Sequence, residues 1–169
     1  MVPLGADNFL SVLEGVEGGF AIFTGIVVGL SFESVGRDLL LLTAGIGIIV
    51  NAFNSSAVRY ASEHYLDELD GRETHDPYRR YFLPALIEFC VYALVSLVAI
   101  LPLLFVAPLQ LAVIACIFLT LAILFGAGYY RGSVLGTHRI RDGLEVSFLG
   151  ALIVIVGGVA GWILSYLVA

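Results

Sequence analysis

The stretch Leu13–Phe32, LEGVEGGFAIFTGIVVGLSF, is an apolar run with two carboxylates, Glu14 and Glu17, set inside its first quarter. About 20 such residues suffice to cross a hydrocarbon core of roughly 30 Å as a helix. A charge inside that core costs about 3 kcal/mol even on insertion scales, so a span that keeps two of them is expected to use them. The chemistry this suggests is a cation handled on its way through a membrane.

The rest of the chain fits that setting. Of its 169 residues, 60% are hydrophobic and only 13% charged. A soluble domain of this length leaves most residues partly exposed and cannot hide so much apolar surface. We therefore expect an all-α, polytopic membrane protein, a single transmembrane domain over residues 1–169. Five spans fit, at about 9–32, 39–58, 81–104, 109–130 and 146–168. Pro102 and Pro108, in LPLLFVAP, mark a tight hairpin between the third and fourth. The opening MVPLGADNF has no basic region before its first apolar run and no small-residue cleavage signature, so the first span is expected to be retained. Cys90 and Cys116 fall within apolar spans and read as packing residues rather than a disulfide or metal pair.

The chain has eight basic side chains, all arginine, against fourteen acidic ones, a net charge of −6. Such a balance speaks against nucleic acid or an anionic lipid as the main partner. Seven of the eight arginines, Arg59, Arg72, Arg79, Arg80, Arg131, Arg139 and Arg141, flank the second and fourth connections, and only Arg37 lies in the first. The positive-inside rule then places those two connections and the N-terminus in the cytoplasm and the C-terminus outside, in the plasma membrane if the source is prokaryotic. Residues 59–80 form a short acidic cytoplasmic connection. In it, Glu63, His64, Asp67 and Glu68 would lie along one side if the second helix continues, with Gly71 as a stop and Asp76-Pro77 as a restart. These four are either a solvated helix end or a patch that collects cations.

Depth brings the intramembrane polar residues together. Glu14 and Glu17 lie roughly 8 to 12 Å in from the cytoplasmic side at 1.5 Å per residue. Asn51, Asn54 and Ser55, at spacings i, i+3 and i+4, precede the cytoplasmic exit of the second span, and Glu88 lies about seven residues into the third. All six share one layer. Carboxylates with amide and hydroxyl oxygens are a ligand set for a hard or borderline divalent cation, and no Cys or His is placed to join them. We take Glu14, Glu17, Asn51, Asn54 and Ser55 as candidate metal ligands and Glu88 as a pathway or proton-coupling group. Asn51, Asn54 and Ser55 could also simply hydrogen-bond between helices, Glu14 could sit in the interface, and Glu88 could be a protonated structural donor. Gly25 and Gly29 in the first span, and Gly157 and Gly161 in the fifth, form GxxxG pairs suited to close helix packing.

The order of these features resembles the vacuolar iron transporter family. The resemblance rests on Glu17-Gly18 followed by Phe23 and Gly29-Leu30, on NSSAVRYAS with Tyr60 and Ser62, on HDPYRR followed by LPLLFVAP, and on the closing GLEVSFLGALIVIVGGVAGWIL. It implies a five-span homodimer that exports ferrous or manganous ions from the cytoplasm in exchange for protons, along a path near the dimer axis lined by the first two helices. Glu17 takes the position of the family's intramembrane aspartate. A metal-ligating methionine at the end of the second helix matches about Ser55, or Asn54, and replacing thioether by oxygen would favour harder ions such as manganese, magnesium or calcium. The Glu-rich cytoplasmic metal-binding domain of plant-type members is missing here, so any capture would rest on Glu63, His64, Asp67 and Glu68. The metal is substrate, with no permanently bound cofactor expected. The competing reading is a non-transporting membrane scaffold or assembly subunit. An intramembrane enzyme ranks last, because no nucleophile with a base partner occurs within the spans.

Overall fold

The computed structural model describes residues 6–32, 35–72 and 76–168. The first five residues of the opening MVPLGADNF, and His75 of HDPYRR, lie outside the described residues. Seven helical pieces follow one another: α1 (Ala6–Leu30), α2 (Arg37–Leu69), a π-helical turn (Tyr78–Phe82), α3 (Leu83–Ile100), the single turn α4 (Pro102–Phe105), α5 (Leu109–Leu135) and α6 (Arg139–Val168). No strand occurs among the described residues. Five segments are long and apolar enough to cross a membrane: α1, α2, the stretch from the π turn through α4, α5 and α6.

α1 is the hub, packing against α2, α3, α5 and α6. In its central stretch 53% of residues are buried, against 22 to 39% in the other four spans, whose outer faces remain apolar and exposed. Glycine makes this possible. A Cβ on Gly15 would lie 2.9 Å from the Glu88 carbonyl of α3, and one on Gly29 would lie 2.7 Å from the Gly157 carbonyl of α6. Gly25, Gly29, Gly157 and Gly161 meet at the α1–α6 crossing, where backbone touches backbone. Phe23 and Val27 of α1, with Ala44 and Ile48 of α2 and Tyr92 of α3, form the larger apolar core.

The ends of the helices follow from local chemistry. α2 continues to Leu69, eleven residues past the boundary at 58 read from the sequence, so half of the expected connection is helix. RYASEHYLDEL contains no glycine or proline and is rich in helix formers, and an Arg59–Glu63 ion pair of 2.8 Å runs along it at i,i+4. At about 1.5 Å per residue a helix of 33 residues is roughly 50 Å long, well beyond a bilayer core. It stops at Gly71, whose φ of +64° is the left-handed conformation that glycine adopts without a Cβ penalty. The π turn precedes Pro84, which has no N–H for the Arg80 carbonyl and whose ring crowds it, so the backbone widens there. At the opposite end, Arg37 donates at 2.6 Å to the carbonyls of both Val106 and Ala107, closing the hairpin between α4 and α5. Cys116 is buried as expected for a packing residue, but Cys90 is exposed on the outer face of α3.

Candidate functional site

At the arginine-bearing end, α1, α2 and α3 part around an open cleft of about 560 Å³. Glu14, Glu17 and Gly18 of α1, Ser55, Arg59, Ser62 and Glu63 of α2, and Glu88 of α3 line it. The lining follows from helical spacing. Ser55, Arg59 and Glu63 stand four residues apart on α2 and so present one stripe to the cleft. Asn54 is about 100° round the helix from Ser55; it is exposed and does not line the cleft. Asn51 is half-buried and faces Tyr92 of α3, one turn deeper.

Glu88 is the most buried carboxylate of the site, only 2% exposed. Its Oε1 accepts a 2.5 Å hydrogen bond from the Ser55 hydroxyl. Its Oε2 lies 3.9 Å from Arg59 Nε and accepts no hydrogen bond among the described residues. Arg59 is itself buried and gathers the carboxylates around it: one terminal nitrogen pairs with Glu14 Oε2 and the other with Glu63 Oε1 at 2.8 Å. Glu17 is held from the far side by Arg131 of α5, at 3.2 and 3.4 Å to its two oxygens. Among the described residues, no three His, Cys, Asp or Glu side chains stand together so as to hold a metal ion, because guanidinium groups lie between the acids.

The structure thus brings Glu14, Glu17, Ser55 and Glu88 to one cleft, but with partners the sequence did not suggest. The Ser55 hydroxyl meets Glu88 rather than Glu17, and each acidic cluster carries its own arginine. Arg59 and Arg131 entered the sequence reading only as markers of topology. The available signal was the four-residue spacing of Ser55, Arg59 and Glu63, which puts a cation on the same stripe as its ligand candidates.

The proposed capture residues are not gathered. Glu63 pairs with Arg59, and Glu68 is exposed. Asp67 accepts from Arg80 Nε at 3.2 Å and from the Tyr81 hydroxyl at 3.1 Å, while the His64 ring packs 5.1 Å from that of Tyr81. These contacts fasten the end of α2 to the start of the third span.

Behind the cleft a polar seam runs deeper between α1 and α3. Tyr92 and Ser96 continue the stripe of Glu88 at four-residue steps; the Tyr92 hydroxyl is turned to Asn51 of α2, and the buried Ser96 hydroxyl has no hydrogen-bond partner among the described residues. Gly19 makes the room for them, since a Cβ there would lie 2.6 Å from Ser96 Oγ and 3.1 Å from the Tyr92 ring. Thr24 of α1 and Thr120 of α5 share a buried hydrogen bond of 2.6 Å. Buried polar groups left open in this way are places where water enters a structure.

A helical membrane protein with an acidic, arginine-braced cleft at one end and a polar seam leading inward has the parts of an ion transporter. The chain belongs to the VIT family, the vacuolar iron transporters, whose model matches residues 54–162. The match opens at Asn54, beside Ser55, and takes in Arg59, Glu88 and the α5–α6 pair, while Glu14 and Glu17 precede it. Comparison with curated proteins gives no match. Membership points to metal-ion transport across a membrane.

Proposed function

We propose that the protein carries a divalent metal ion of the ferrous or manganous type out of the cytoplasm, in exchange for protons and as a homodimer. The observation that carries this reading is the cleft itself. Glu14, Glu17, Glu63 and Glu88 line it with a single arginine, Arg59, while Arg131 of α5 pairs with Glu17 from outside the lining, so the acids outnumber the arginines around them. That excess of acids attracts a cation, and the oxygens of Glu88, Glu14 and Ser55 are donors that a divalent ion accepts. The arginine-bearing end is then the cytoplasmic one, so the cleft faces the compartment from which metal is taken. The Tyr92–Ser96 seam supports passage of protons or water deeper into the bundle.

The test is uptake of Mn²⁺ and Fe²⁺ into proteoliposomes under an imposed proton gradient. The wild type should move both ions, and Glu88→Gln should lower the rate at least about tenfold, since the variant keeps the shape but removes the buried charge. If the wild type moved no divalent ion, the scaffold reading would replace this one.

A further inference from the structure

Arg59 already sits where a cation should go. Its guanidinium bridges Glu14 of α1 and Glu63 of α2, and its Nε stands 3.9 Å from the Oε2 of Glu88 on α3. The side chain is 6% exposed although Glu14 beside it is 45% exposed, so the cation is the better enclosed partner. Glu88 adds an independent sign that a ligand is missing. It is 2% exposed, it lines the cleft, and one of its oxygens accepts no hydrogen bond among the described residues. A planar guanidinium fixed by two other carboxylates satisfies Glu88 by charge but does not reach it with a donor.

We propose that Arg59 is a tethered substitute for the transported ion: a divalent cation reaches Glu14 and Glu88 only by displacing the guanidinium from between them toward Glu63. This rests on the reading of the cleft as a metal path and assigns it a device that sets ion selectivity. Oxygen ligands must close to about 2.0–2.6 Å around a divalent ion, and the acids cannot converge while a guanidinium separates them. The exchange also discriminates by charge. An incoming monovalent ion replaces one positive charge by another and gains no electrostatic advantage, whereas a divalent ion brings one charge more than it removes. The cleft would therefore ignore sodium at concentrations at which bare carboxylates would collect it. The displaced side chain has somewhere to go, because Glu63 is on the same helix and partly exposed at the outer rim.

The experiment is calorimetric titration of Mn²⁺ into the purified full chain in detergent, in the presence and absence of Na⁺. Arg59→Gln removes the resident charge and is expected to bind Mn²⁺ at least about tenfold tighter than wild type, with Na⁺ now competing. Arg59→Lys keeps the charge and is expected to stay near wild type. If the wild type binds Mn²⁺ and Arg59→Gln binds it no tighter, the displacement idea is wrong while the metal path stands; if neither binds, both fall. A measurement on the wild type guards against a variant that does not fold. Mn²⁺ should increase modification of Arg59 by an arginine-directed dicarbonyl such as phenylglyoxal, read by peptide mass spectrometry, while exposed Arg141 stays constant. Unchanged labelling of Arg59 would overturn the proposal.

Discussion

The contact between Ser55 and Glu88 shows how one hydroxyl holds a carboxylate in an apolar setting. The 2.5 Å bond orients Glu88 so that its other oxygen turns to Arg59. Charge-assisted hydrogen bonds of this kind are shorter and stronger than neutral ones, and leaving a buried acceptor empty costs about 1–3 kcal/mol. Ser55→Ala is therefore expected to destabilise the protein by about 1–3 kcal/mol, seen as a lower midpoint of thermal unfolding in detergent. An unchanged midpoint would mean that water replaces the hydroxyl at no cost. At this scale the sequence was partly legible. Depth along each span brought Glu14, Glu17, Ser55 and Glu88 into one layer, because rise per residue is a fixed property of the helix. Depth says nothing about azimuth, so Asn54 was grouped with Ser55 although it points away. Nor does depth identify partners: Arg59 counted toward topology, and its burial between α1, α2 and α3 depends on how those helices pack.

The elements are organised by where backbone can meet backbone. α1 touches four helices, and it comes closest to α3 and α6 because glycines at 15 and 19 face the one and glycines at 25 and 29 the other, removing the side chains that would hold them away. Association of helices within a bilayer draws on van der Waals contact rather than on a hydrophobic difference, so closeness counts directly. Gly29→Leu places a side chain against the Gly157 backbone, which has no rotamer by which to yield. The expected cost is about 1–3 kcal/mol or more, with partial unfolding or loss of expression. A Cβ on Gly126 of α5 meets nothing within 4 Å among the described residues, and Gly126→Leu is expected to leave stability unchanged or raised by up to about 1 kcal/mol, with no fall in the thermal midpoint. Equal effects of the two substitutions would contradict the crossing described here. GxxxG pairs in the first and last spans were visible in the sequence, but which helices they joined was not, since any two small faces can meet. The end of α2 was legible: apolar content marks the membrane span, whereas the helix can run on through polar residues until Gly71 stops it.

For the whole molecule, charge is divided between two ends, and the single arginine at the far end has its own task. Arg37 is committed to the Val106 and Ala107 carbonyls, which the proline-marked hairpin leaves without helical donors. It is thus a structural closure of that end, and the other seven arginines lie at the end where the cleft opens. Its bonds to neutral carbonyls leave its charge in place, so the positive-inside argument still rests on seven arginines against one. The orientation can be measured in intact cells with a membrane-impermeant maleimide, starting from Cys90→Ser so that the exposed native thiol is absent and buried Cys116 remains. Ala107→Cys, at the Arg37 end, should label from outside, and Leu69→Cys, at the tip of α2, should label only after the cells are opened. The reverse pattern would turn the cleft toward the exterior, and metal would then enter through it from outside rather than leave the cytoplasm.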